Sequence, residues 1–282
     1  MKYLQLFVLL ISLGFKVCAQ EKALAKIHYD FKHINDTTHK EFPKQDFVVS
    51  YLGKHSYYYT SYSDDIVKKQ IEDQKALSSY AGQLTLKLTT TPILTHYLIY
   101  SDQQKTVKLE GISSTLDIFT LDDSYESQNW TLQDEQQEIG GYKCQKATTR
   151  FKGRNYIAWF TTELPFPFGP WKLHGLPGLI LSAHDDKQEV IFNYAGFDKE
   201  NIDKLIHSPT YAISASTSEL NKLKKAFKDN PNTYYNILQS SGRMALTNDY
   251  YGIDYSKMSI DFDHEDYKPS LQENNPMELI AY

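Results

Sequence analysis

The sequence predicts a mainly β protein built on an antiparallel, strongly curved sheet, a half-barrel or bowl, with one or two packed helices. Three observations carry that expectation. Polar and apolar residues alternate with period two through most of the chain, beginning with Ala25, Ile27, Tyr29 and Phe31. Short turn signals separate the alternating runs. Tyrosine is over-abundant, 22 residues beside 14 Phe and 3 Trp, which suits strands that bury the ring and leave the hydroxyl wet.

The elements follow in order. Residues 24–34 form the opening strand. Runs 46–52 and 55–61 flank Gly53-Lys54, a hairpin turn. From Ser63 to Gly82 the pattern reads as a helix or a polar excursion, with acids early and Ile66, Val67, Ile71 and Leu77 on the apolar side. Strand-like runs resume at 84–90, 94–101, 105–110, 116–121 and 129–132. Residues 142–151 and 154–161 make a hairpin across Lys152-Gly153, where glycine supplies the positive φ of a tight turn. A second hairpin joins 178–185 to 188–195 through Asp186-Lys187. Ser216 and Glu219 form a capping box ahead of an apolar stripe at Leu220, Leu223 and Phe227, so a helix spans 217–229 and stops at Asn230-Pro231. The last fifty residues lack clean periodicity and read as an extended wrap or partly ordered tail.

Residues 1–19 read as an export leader: Lys2, an apolar run from Leu4 to Phe15, then Val17-Cys18-Ala19 ahead of cleavage near Gln20. The run is too short to span a bilayer, where about 20 residues are needed. Residues 20–282 are then one domain in the periplasm, at the outer membrane or secreted, with 231–282 its wrap. Losing Lys2 and Lys16 takes the formal charge from −5 to −7, which argues against nucleic acid as a partner. Only Cys144 remains, so no internal disulfide forms and the core must hold the fold.

The segment GPWKLHGLPGLIL, residues 169–181, mixes chain-breakers with core formers. Leu176-Pro177-Gly178-Leu179 fits a type II turn with positive φ at Gly178. Leu179 and Ile180 then enter a buried strand, and Gly175 belongs to the same structural motif. Upstream prolines keep the chain extended, so the segment reads as a stiff apolar connector that plugs into the core. His174 beside it reads as a packing residue.

With GYKCQKATTRFKGRNYIAWFT, GPWKL and GLPGLIL in order, and NNPMELI further on, the chain resembles the GLPGLI family of exported Bacteroidota proteins. That resemblance spans nearly all of residues 20–282. It implies a β-rich envelope or secreted protein with no established activity; the long alternating strands, short hairpins and one helix by themselves suit a bowl like that of lipoprotein-carrier domains. It also implies likeness to bowl-shaped accessory domains of secreted glycan-processing enzymes.

No G-x-S-x-G, H-E-x-x-H, C-x-x-C or phosphate-cradling glycine loop occurs. The acidic run Asp261–Asp266 lacks the spacing of a Ca²⁺ loop, and Arg150 and Arg154 read as charges solvating a hairpin edge. The leading functional expectation is therefore a non-catalytic envelope protein without cofactor or metal. Its concave face would hold an apolar or peptide-like ligand, or a partner protein, near Tyr142, Trp159, Phe166, Phe168 and Trp171. Two alternatives stand beside it. One is a hydrolase or oxidoreductase using Cys144 and His174. The other is an accessory protein of an outer-membrane receptor whose tail adds a strand to its partner.

Overall fold

The computed structural model describes residues 21–88, 93–112, 117–240, 258–262 and 272–279. The leader lies outside these residues, as do positions 263–266 of the acidic run. The strands are β1 (Glu21–Lys22), β2 (Ala25–His33), β3 (Lys44–Leu52), β4 (Ser56–Ser61), β5 (Leu84–Leu88), β6 (Thr95–Tyr100), β7 (Lys105–Glu110) and β8 (Phe119–Asp123). They continue with β9 (Thr131–Ile139), β10 (Tyr142–Phe151), β11 (Arg154–Thr161), β12 (Leu179–Asp185), β13 (Val190–Asp198), β14 (Leu205–Ile206), β15 (Ile213–Ser214) and β16 (Met258–Phe262). The helices are α1 (Ser63–Lys75), α2 (Thr217–Asp229) and α3 (Pro231–Ser240).

Twelve strands form one sheet in the order β15-β8-β7-β6-β4-β3-β2-β13-β12-β11-β10-β9. It is antiparallel except where β15 meets β8, and it does not close into a barrel. The opening strand β2 lies in the middle, paired to β3 from Ala25↔Leu52 to His33↔Lys44 and to β13 on its other side. Its odd positions Ala25, Ile27, Tyr29 and Phe31 are buried, as the alternation requires. One core cluster joins these to inner-face residues of β3, β4 and β6 and to Ala147, Tyr156, Ala158 and Ala183 across the sheet. Such distant strands share a core because the sheet curls; bulges at 145/147, 159/160 and 194/196 sharpen the bend.

Where β3, β4 and β6 meet, both faces are covered. Val48, Tyr57, Tyr59 and Ile99 face the inner cluster, while Val49, Tyr51, Tyr58 and Leu98 pack with Ile206 and Tyr211 on the outer one. Continuous burial replaces alternation there, which is the signature of a strand sandwiched between layers.

The connector 162–178 fills the concavity, as its sequence predicts. Leu164, Phe168, Trp171, Leu173 and Leu176 join the inner cluster. Its backbone carbonyls accept hydrogen bonds from the sheet: Ser50 Oγ donates to Gly169 O at 3.0 Å and Tyr57 Oη to Trp171 O at 3.2 Å. The turn chemistry differs from expectation. Positive φ falls on Gly175 (94°) and on Trp171 (55°), not on Gly178. Glycine is required at 178 for space: a methyl group there would collide with the Thr161 carbonyl. The Leu176–Leu179 corner is thus shaped by close backbone approach and not by a left-handed residue.

The helices lie away from the concave centre, which the connector fills. The α2 capping box forms as read, with Ser216 Oγ accepting from Glu219 N. Leu220, with Tyr234 of α3, packs on Ile112, Phe119 and Leu121 at the β8 end of the sheet. Asn230 breaks α2 but does not stop helical structure, because Pro231 opens α3; proline lacks the N–H that a helix start leaves unused. The polar excursion resolves into α1, whose Gln70 and Gln74 each bond both backbone groups of one β5 residue, Lys87 and Thr85. Two glutamine amides thereby imitate a neighbouring strand along one edge of β5, while β16 pairs parallel on the other.

Substituting Gly178→Ala should lower stability by about 1–3 kcal/mol, the range for overpacking. The loss should appear in urea unfolding as a lower midpoint at unchanged slope.

Candidate functional site

The densest chemistry lies along a charged seam on the rim of the bowl. The β10–β11 hairpin turns on Lys152 (φ 50°) and Gly153 (φ 83°), a geometry that matches strand twist. That turn delivers Arg154, the first residue of β11, into the protein interior. Arg154 was expected at a solvated edge; its side chain is 1% exposed, whereas Arg150 is exposed. All five of its N–H donors are engaged. Nη1 donates to Asp185 Oδ2 at 2.6 Å and Glu189 Oε2 at 3.2 Å. Nη2 donates to Asn275 Oδ1 at 2.7 Å and Pro276 O at 2.8 Å, and Nε to Met277 O at 3.1 Å. Asp185 completes the corner by accepting the Glu189 and Val190 N–H groups on its second oxygen.

Two lysines extend the seam. Lys152 pairs with Glu126 at 2.5 Å and with Glu278 at 3.5 Å, and burial pushes its pKa down from the ordinary lysine value. Lys172 pairs with Asp123 and Glu278, each at 2.6 Å, and stands 4.7 Å from the centre of the Tyr97 ring. His33, on the last position of β2, donates from Nε2 to Asn275 O at 2.8 Å. Burial holds its pKa at about 4. Among the described residues no group of three His, Cys, Asp or Glu is placed to hold a metal ion. No helix among them is long and apolar enough to cross a membrane.

Cys144 and His174 do not form a catalytic pair. The Cys144 thiol is buried in the inner wall, donates to Tyr142 O at 3.6 Å, and is pushed by burial up to about 11, which keeps it protonated at neutral pH. His174 Nδ1 bonds the Lys172 carbonyl at 2.8 Å, its ring lies against Tyr125, and burial lowers its pKa. Its backbone accepts from Trp130 Nε1 at 2.8 Å and donates to Gln128 Oε1 at 2.7 Å. His174 therefore ties the 125–130 segment to the connector.

The five aromatic candidates separate into three groups. Phe168 and Trp171 are buried in the core, 1% and 2% exposed, where no ligand reaches without displacing the connector. Trp159 is half-buried on the face of β11 opposite Ala158 and Phe160. Tyr142 and Phe166 come together at the inner rim, each with its ring 6.4 Å from Phe197. Tyr194 lies beside Gly140 at the same end, and Lys199 Nζ stands 5.6 Å from the Phe197 ring. These aromatics are half-buried. The sequence reading missed Tyr194 and Phe197. The bulge at 194/196 carries Phe197 onto the inner face opposite Ile27, and a glycine at 196 within a strand pattern was the available signal.

Unfolding should report the seam in two ways. Arg154→Ala should cost about 3–5 kcal/mol in urea unfolding, because Asp185 and Glu189 are left buried without their cation. His33 binds its proton less tightly folded (about 4) than unfolded (6.5). Unfolding therefore takes up a proton between those values, and stability should fall as pH drops from about 6.5 towards 4. His33→Gln should flatten that part of the profile.

The family described as N-glycanase peptide, N-terminal domain, matches residues 49–199. No curated protein matches the chain. Two solved structures of PNGF-II resemble it. In space group P21 the identity is 15% and the TM-score 0.44, covering 72% of this chain and 33% of that one. In space group C2 the values are 14% and 0.43, with 70% and 32% covered. The chain thus spans about a third of the length of those proteins. The family match corrects the GLPGLI resemblance: the apolar corner serves packing, and the matched family is a different one. It also corrects the expectation of a non-catalytic envelope binder, because the matched family is described as the N-terminal domain of an N-glycanase. With 49–199 matched, more than half its length, the chain belongs to the N-glycanase peptide, N-terminal domain family.

Proposed function

We propose that the chain serves in the processing of N-linked glycans as part of a hydrolase of the N-glycanase type, and that the rim formed by Tyr142, Phe166, Tyr194 and Phe197 holds the sugar portion of its substrate. The family match over residues 49–199 carries this reading, and all four rim residues fall inside the matched span. Half-buried aromatic faces can stack on the C–H faces of sugar rings, while the two tyrosine hydroxyls can bond sugar hydroxyls. The leader-like residues 1–19 fit work on glycoproteins outside the cytoplasm. The buried, protonated state of Cys144 favours a reaction without thiolate attack.

An N-glycopeptide and its sugar-free counterpart should be offered to the unmodified chain. Binding is followed by calorimetry and glycan release by mass spectrometry. The expected result is binding that requires the glycan and weakens roughly 10-fold in Phe197→Ala, the loss of one stacked ring at about 1–1.5 kcal/mol. Equal binding of both peptides together with no glycan release would overturn the proposal.

A further inference from the structure

Residues 272–279 form no part of any sheet, yet they are densely bonded to the described body of the protein. Asn275 is 5% exposed with every polar atom satisfied. Its Nδ2 donates to Ile34 O at 2.7 Å and Glu189 Oε2 at 3.0 Å, and its Oδ1 accepts from Arg154. Its N–H donates to Asn35 O and its carbonyl accepts from His33. Asn274 is read as fully: Oδ1 accepts from Thr37 N and Oγ1 at 2.9 and 3.0 Å, and Nδ2 donates to Asp36 Oδ1 at 2.7 Å. Pro276 and Met277 offer their carbonyls to Arg154, Glu278 reaches Lys152 and Lys172, and Leu279 N–H donates to Lys152 O at 2.9 Å.

The receiving groups come from the end of β2 and the loop after it, the β10–β11 hairpin, the β12–β13 turn and Lys172 of the connector. Several of them are also held by contacts outside the segment: Arg154 by Asp185 and Glu189, Lys152 by Glu126, and Lys172 by Asp123. That is the arrangement of a peptide site and its ligand: a bent backbone bonded at several carbonyls, with side-chain amides read individually. It differs from strand addition, because no ladder is made and specificity rests on two asparagines.

We infer that this groove is a peptide-binding site selective for an Asn-Asn-Pro-Met-Glu sequence, occupied in cis by residues 272–279, and able to take the same segment from a second copy of the chain. The inference is independent of the glycan reading. In cis the segment has an effective concentration of order mM, so a free peptide competes poorly until the cis copy is weakened. Asn275→Asp does that selectively. It replaces the Nδ2 donor by an oxygen that faces the Ile34 carbonyl and the Glu189 carboxylate, leaving the groove itself unchanged.

The test uses the full chain carrying Asn275→Asp, its fold checked by circular dichroism, and a labelled peptide of residues 272–282 (QENNPMELIAY). Fluorescence polarisation should show saturable binding to the variant and at least roughly 10-fold weaker binding to the unmodified chain. A peptide that itself carries Asn275→Asp should bind about 100-fold more weakly, as expected when a buried carboxylate oxygen is set against the Glu189 carboxylate and the Ile34 carbonyl. A folded variant that ignores the peptide, or equal binding of both peptides, overturns the inference. Should Asn275→Asp unfold the chain, a protease site inserted between Asp266 and Gln272 of the otherwise unmodified chain decides it. After cleavage the released fragment should co-elute with the body in size exclusion; a fragment that elutes alone overturns the inference.

Discussion

A sheet of twelve strands that curls without closing has to fill its own concavity, and every other feature of this protein depends on how that is done. The connector 162–178 does it with Phe168, Trp171, Leu173 and Leu176, whose side chains enter the inner cluster while the backbone is bonded to Ser50 and Tyr57. A buried connector without regular structure carries peptide groups that must find partners. Sheet side chains provide several of them. That requirement explains serines and tyrosines on an inner face that would otherwise be aliphatic. It also explains glycine at 178, where two backbones meet with no room for a Cβ.

Filling the centre leaves the rim to be finished, and the two ends of the rim are finished differently. At one, Arg154, Lys152 and Lys172 are buried among five acids and the polar groups of residues 274–279. Buried ion pairs add little stability relative to apolar packing, but they impose geometry, since any misplaced partner is left charged and dry. The seam thus fixes where the 272–279 segment lies. At the other end, Tyr142, Phe166, Tyr194 and Phe197 stay half-exposed. Their rings are partly wet, with Lys199 over Phe197.

The GLPGLI resemblance failed for an instructive reason. Leucine, proline and glycine at 175–180 answer a local demand: an extended approach, a close backbone crossing and entry to a buried strand. Any curved sheet plugged by a connector poses that demand, so the motif speaks for the corner rather than for what the protein acts on. The match over 49–199 draws on a span that includes strands, connector and rim together.

Local chemistry by itself determined the hairpin at Lys152-Gly153, the Ser216–Glu219 cap, the alternation of β2 and the plugging role of the connector. Each depends on residues within a few positions of one another, through backbone dihedrals or the pleat. Tertiary structure alone decided that Arg154 is buried, that Phe197 faces inward past a bulge, that Gln70 and Gln74 serve as a strand edge, and that Asn275 lies in a groove formed far away in sequence. Those outcomes depend on partners that meet only through folding, with separations of 11 and 17 residues for the glutamines and above a hundred for Arg154 and Asn275. No short-range pattern encodes such an encounter, because the energy that selects it is burial and hydrogen bonding between segments that are strangers along the chain.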